Sequence, residues 1–106
     1  MSFPRRLLLI ILTAAPLVAT QLSGCVGAPV QEMSNARQAV IAAQKAGAAK
    51  YAPEAMAEAE QLLKSAKANQ SKGEFRAARE EAEQAYAKAT EARRQAEAAK
   101  AAKPGA

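Results

Sequence analysis

"EFRAAREEAEQAYAKATEARRQAEAAKA", Glu74–Ala101, decides the fold. Within it Phe75, Ala78, Ala82, Ala85, Ala89, Ala92, Ala96 and Ala99 alternate steps of three and four without a break. That is heptad spacing, which keeps one narrow stripe of a helix turned toward a partner helix. The stripe is almost wholly alanine, so any partner must approach closely for the methyl groups to meet.

The partner stands just upstream. Ala52, Met56, Ala59, Leu63 and Ala66 follow the same rhythm, and "SKGEF" joins the two segments. Gly73 is the natural stop of the first segment, since glycine accepts the left-handed conformation that ends helices. Pro53 is its natural start, because proline at the first helical position loses no hydrogen bond and already holds a helical φ. Two such seams joined by so short a turn make an antiparallel hairpin with helices at about 53–72 and 74–102. Folding about Gly73 brings Lys67 toward Glu80, Lys64 toward Glu83, Glu58 toward Lys88 and Glu54 toward Arg93, all opposite in sign. Each exposed pair is worth about 0.2–1 kcal/mol, enough to select orientation and little more.

A further helix is expected over about 32–49, where Met33, Ala36, Val40, Ala43 and Gly47 share one face. The sequence therefore predicts an all-α fold: an alanine-seamed hairpin with a preceding helix, as a coiled coil or small three-helix arrangement. Composition agrees. Half of the 106 residues are hydrophobic, yet from Cys25 onward the large apolar side chains are few, and alanine must do the packing. Its high helix propensity and negligible side-chain entropy offset the small area each methyl buries. Helix one, or a second chain, is expected to cover Val40, Ile41, Met56, Leu62 and Leu63.

The N-terminus has a different character. Arg5 and Arg6 precede "LLLIILTAAPLVAT", Leu7–Thr20, an apolar run of 14 residues. As a helix it would cover about 21 Å, short of the roughly 30 Å hydrocarbon core of a bilayer. Pro16 weakens it further. Residues 1–24 thus have the make-up of a secretory signal. Next comes "LSGC", Leu22, Ser23, Gly24 and Cys25, which resembles the lipobox of bacterial lipoproteins. Small side chains admit a peptidase to the backbone, and a thiol is the nucleophile that can take a diacylglyceryl group as a thioether. The resemblance implies recognition through Leu22, Ser23 and Gly24, cleavage before Cys25, and acylation of the new amino group. A single cysteine cannot close an internal disulfide. Two or three acyl chains, at about 0.8 kcal/mol per buried methylene, would hold the mature protein to a membrane without spanning it. Val26, in place of the aspartate that often follows the cysteine of inner-membrane lipoproteins, favours the outer membrane, periplasmic face. Residues 25–31, "CVGAPVQ", read as a tether, 32–103 as the helical domain and 104–106 as a frayed tail.

Several functions are disfavoured. The chain has no histidine, no aspartate and one cysteine, so the usual nucleophile–base pairs and metal-ligand sets are missing and no enzyme is expected. No cofactor is expected beyond the covalent diacylglyceryl and N-acyl groups on Cys25. After loss of Arg5 and Arg6 the charge is 13 − 10 = +3, with Lys and Arg alternating with Glu, which describes a solvated helical surface better than a nucleic-acid patch. No small-molecule substrate is indicated either. Tyr51 and Tyr86 read as packing residues and Phe75 as a plug at the hairpin end.

"AGAAKYAP", Ala46–Pro53, followed by "KGEFRAAREEAEQAYAKA", resembles a family of small bacterial envelope lipoproteins classed only as a domain of unknown function. The resemblance spans about Ala36 to Ala99 and carries over no catalytic residue and no ligand. The chain also resembles the major murein lipoproteins as a lipidated alanine-rich helix. Those end in a lysine joined to the cell wall, whereas here Lys103 is followed by "PGA". The expected role is structural or accessory, through self-association or contact with other envelope proteins. The alternative is a tetratricopeptide-like module that holds a peptide or a peptidoglycan strand.

Overall fold

A computed structural model describes residues 27–102. The expected signal, the Leu22–Cys25 motif, Val26 and the expected tail lie outside the described residues. Four helices follow in order: α1 Val30–Lys45, α2 Ala48–Tyr51, α3 Pro53–Ser71 and α4 Phe75–Ala101. They pack together without a strand among the described residues.

The hairpin forms where its punctuation places it. Pro53 opens α3 at the first helical position without a side-chain cap, and the first intrahelical bond runs from the Met56 N–H to the Ala52 carbonyl at 3.0 Å. At the other end Gly73 adopts φ 80°, its N–H donates to the Gln70 carbonyl, and the Glu74 N–H reaches back to Asn69 at 2.8 Å. This pair of bonds is the Schellman ending, which satisfies carbonyls that a helix terminus leaves open. Asn69 also donates from its side chain to Glu81, tying the two helices together beside the turn.

α1 closes the bundle. Its first turns lie by the base of α4, where Glu32 approaches Arg79 at 3.4 Å, and its end lies where Gln44 donates to Glu60 of α3 at 3.3 Å. Hence α1 runs parallel to α4 and antiparallel to α3. Among the three long helices the most extensive packing is between α3 and α4, then α1 on α4, while α1 and α3 touch least.

Of the 16 buried hydrophobic residues among those described 12 are alanines; Met33, Val40, Met56 and Leu63 are the larger four. Such a core allows helix axes to approach closely, so dispersion and backbone proximity supply what side-chain volume does not.

Four features depart from the sequence expectation. The first helix begins two residues early, at Val30, which shortens the expected tether; Pro29 is buried and its carbonyl accepts the Met33 N–H at 2.9 Å. That helix also stops at Lys45 instead of running to 49. Gly47 takes φ 85° and the four-residue α2 turns the chain across the end of α4. Ile41 is 48% exposed, because Met33, Ala36, Val40 and Ala43 already fill the narrow stripe that faces the hairpin. Of the four expected ion pairs across the hairpin, Glu58–Lys88 closes, at 2.9 Å. Arg93 instead pairs with Glu97 on its own helix, and Lys64 and Lys67 join no ion pair among the described residues.

Candidate interaction surface

Cys25 and the expected recognition residues Leu22, Ser23 and Gly24 precede the described residues, and the chain is placed from Gly27 onward. Gly27 enters beside Arg79, whose guanidinium donates to the Gly27 carbonyl at 3.5 Å. The entry point therefore shares one end of the bundle with the Gly73 turn.

The seam residues lie as follows. Met56, Ala59 and Leu63 of α3 are buried, as are Ala78, Ala82, Ala85, Ala89 and Ala92 of α4. Phe75 is half-buried at the hairpin end and stands outside the main core cluster. A seam packed this fully is internal, and contact with another molecule must use what the bundle leaves outside.

The far end is formed by the "AGAAKYAP" stretch. Gly47 and Pro53 bracket α2, with Ala48 and Ala52 buried against the bundle. The half-buried Tyr51 ring has the Lys50 ammonium 5.1 Å and the Lys100 ammonium 5.8 Å from its centre, within range of cation–π attraction. Tyr51 thus fastens the last turn of α4 to the α1–α3 connection.

Grooves run between the helices on each side. Between α1 and α4 lies one of about 470 Å³, floored by Ala39 and Ala42 and edged by Tyr86, Thr90 and Arg93. Between α1 and α3 lies a trough of about 400 Å³, in which Val40, Ile41 and Leu63 are edged by Arg37, Lys64 and Lys67. The groove between α3 and α4, at Leu62 and Gln84, is bridged by Glu58 and Lys88.

Charge is spread unevenly. On the outer face of α4 Arg94 forks onto Glu91, with a 2.6 Å contact, and Gln95 donates to the same carboxylate. The Arg94 hydrogen bonds, reinforced by Gln95, hold the Glu91 carboxyl down at about 2. No group of three or more His, Cys, Asp or Glu suited to a metal ion occurs among the described residues. Nor, among the described residues, is any helix long and apolar enough to cross a membrane.

Residues 31–104 match the family described as a domain of unknown function, DUF4398. The chain belongs to that family. No curated protein and no solved structure matches it. The matched span takes in all of α2, α3 and α4 and all but the first residue of α1, so the DUF4398 domain and the bundle are the same object.

The sequence reading passed over the cations of the α1–α3 trough. The expected partners of Lys64 and Lys67 are glutamates across the hairpin, and Arg37 has no expected role. The available signal was spacing: Arg37 and Ile41 are one helical turn apart, as are Lys64 and Lys67, with Leu63 beside them.

Proposed function

We propose that this DUF4398 chain is a lipid-anchored lipoprotein of the bacterial envelope, facing the periplasm, with an accessory role exercised through protein contact. The observation that carries the reading is the short path from the motif to the bundle. Cys25 lies two residues before Gly27, so its Cα is within about 7 Å of the Gly27 Cα even when the chain is extended. Pro29, two residues further, is buried. Acyl chains on Cys25 would thus hold one end of the bundle near the headgroups, with the Gly73 turn facing the lipid and the Tyr51 end directed away. The outer membrane is the favoured location on the side chain of Val26. α4, at 27 residues, would extend about 40 Å from that surface.

An accessory role through contact is supported by what the bundle presents. Its apolar seam is turned inward and its chemistry-bearing residues are Lys, Arg and Glu on helical faces. The alternative, a tetratricopeptide-like holder of peptide or peptidoglycan, has less support, because such grooves arise from stacked units and here α1 packs over the single hairpin.

Metabolic labelling with a radioactive fatty acid tests the anchor. The wild-type chain is expected to carry label and to fractionate with membranes, and Cys25→Ser to lose both. Label retained in Cys25→Ser would overturn the proposal.

A further inference from the structure

We propose that the trough between α1 and α3 is a docking site for an acidic amphipathic helix of another protein. The inference extends the protein-contact reading above by naming a surface and the chemistry of its occupant.

The trough exists because α1 and α3 touch least of the three long helices. Val40 and Leu63, both core residues with only their edges showing, close its floor, and Ile41, 48% exposed, is the apolar side chain it presents. Along its edges stand Arg37, Lys64 and Lys67, and none of the three joins an ion pair among the described residues. Arg79, Lys88, Arg93 and Arg94 are paired with Glu32, Glu58, Glu97 and Glu91, whereas Lys45, Lys72 and Arg76, like the trough cations, join no ion pair among the described residues. The trough differs in gathering its three around one apolar hollow. The one acidic residue lining the trough, Glu60, already accepts the Gln44 side-chain bond, so the lining carries 3 − 1 = +2.

An apolar floor between unpaired cations is complementary to a helix that carries apolar anchors at i, i+3, i+4 and i+7 with glutamates beside them. The dimensions agree. The lining runs from Arg37 to Gln44 on α1 and from Glu60 to Lys67 on α3, about 11 Å along each helix, which faces about two turns of a docked helix and so one set of anchors from i to i+7. A second copy of this chain offers no such face. Its exposed large hydrophobics among the described residues are Val30, Ile41 and Tyr86, one to a surface and never in a row. A polyanionic sugar would leave the exposed Ile41 side chain unused. An anchored bilayer would lie at the Gly27 end, whereas the trough runs along the side.

The test uses the full chain purified in detergent and a fluorescent synthetic peptide of about 18 residues, roughly 27 Å as a helix, with leucines at helical spacing flanked by glutamates. Fluorescence anisotropy is expected to show saturable binding. Replacing the peptide's glutamates by lysines should weaken it at least about tenfold, as should Lys64→Glu/Lys67→Glu or Ile41→Gln in the protein. Lys50→Glu/Lys72→Glu, which changes net charge equally but away from the trough, should leave binding within about twofold. Three results would overturn the proposal: no saturable binding of the acidic peptide, equal binding of the lysine peptide, or variants that bind as well as wild type. Sedimentation showing dimers that Ile41→Gln dissociates would assign the trough to a second copy instead. Binding to phosphatidylglycerol vesicles, lost in Lys64→Glu/Lys67→Glu, with no peptide binding would assign it to lipid. Repeating the titration on Cys25→Ser separates a failure of docking from a failure of anchoring.

Discussion

The Lys100 ammonium lies 5.8 Å from the centre of the Tyr51 ring, which joins the last turn of α4 to a helix of four residues at the far end of the bundle. The same lysine passes over Gly47, where an added Cβ would sit 3.3 Å from Lys100 Cε and 3.4 Å from the Tyr51 ring. The left-handed turn and the lysine–tyrosine contact therefore depend on each other.

Gly47→Ala should accordingly be costly on two grounds. A non-glycine residue in this conformation loses about 1–2 kcal/mol, and the new methyl displaces the end of Lys100 by a few tenths of an ångström from its place by Tyr51. Gly73→Ala supplies the control, since φ 80° imposes a similar strain but nothing lies within 4 Å of its Cβ position. Thermal unfolding followed by circular dichroism should rank Gly47→Ala below Gly73→Ala. At about 4–8 °C per kcal/mol for a domain of this size, the loss in each is measurable.

The buried stripe of α4 predicts a sharper effect. Ala85 has no exposed surface, and Ala85→Glu would place an unpaired carboxylate between close-packed helices. A loss above about 3 kcal/mol, with the cooperative transition abolished, is expected. Tyr86→Glu, at the adjacent and 49% exposed position, should retain a cooperative melt. Equal behaviour of the two variants would reject the assignment of faces.

Glu58 and Lys88 provide a test of orientation by charge exchange. Glu58→Lys should cost about 0.2–1 kcal/mol, and adding Lys88→Glu should recover most of it. Urea unfolding of the single, reversed and double variants measures the coupling. No recovery in the exchanged protein would mean that the 2.9 Å pair contributes nothing in solution.

Glu91 gives a prediction in pH. Its carboxyl is held down at about 2, first by the Arg94 hydrogen bonds and then by Gln95. A depressed folded value means that the pair's contribution is fully present above the ordinary carboxylate range and fades as pH falls toward 2. Carbon-detected NMR titration should find Glu91 still ionised at pH 3, where ordinary glutamates are largely protonated, and Arg94→Gln should return it to their range.

Much of the bundle was legible in the spacing of small residues. Pro53 and Gly73 mark helix ends by backbone chemistry alone, and the stripe from Ala78 to Ala96 marks a buried face by period alone. Gly47 was harder, because it falls in step with Met33, Ala36, Val40 and Ala43 and reads as one more small residue in the stripe. In the structure it ends α1 much as Gly73 ends α3, at φ 85° with its N–H donating to the Gln44 carbonyl at 3.0 Å. Ile41 misled for a related reason, since a stripe narrow enough to pack alanine against alanine leaves the neighbouring position outside. The cross-hairpin charges showed direction but not partners. Arg93 found Glu97 one turn along its own helix, a competitor that sequence separation across the turn does not reveal. The α1–α3 trough escaped notice altogether because its floor and edges come from two helices whose register the pattern leaves open.

The parallel course of α1 and α4 has a mechanical consequence. The described chain enters at Gly27 beside one end of the bundle and leaves at Ala102 beside the other, where Lys100 meets Tyr51. Traction between those two points would be directed along the helix axes, so neighbouring rods would have to slide past one another in shear. Rows of interlocked methyl groups would resist together instead of parting one by one, as in a strut held at one end and pulled from the other.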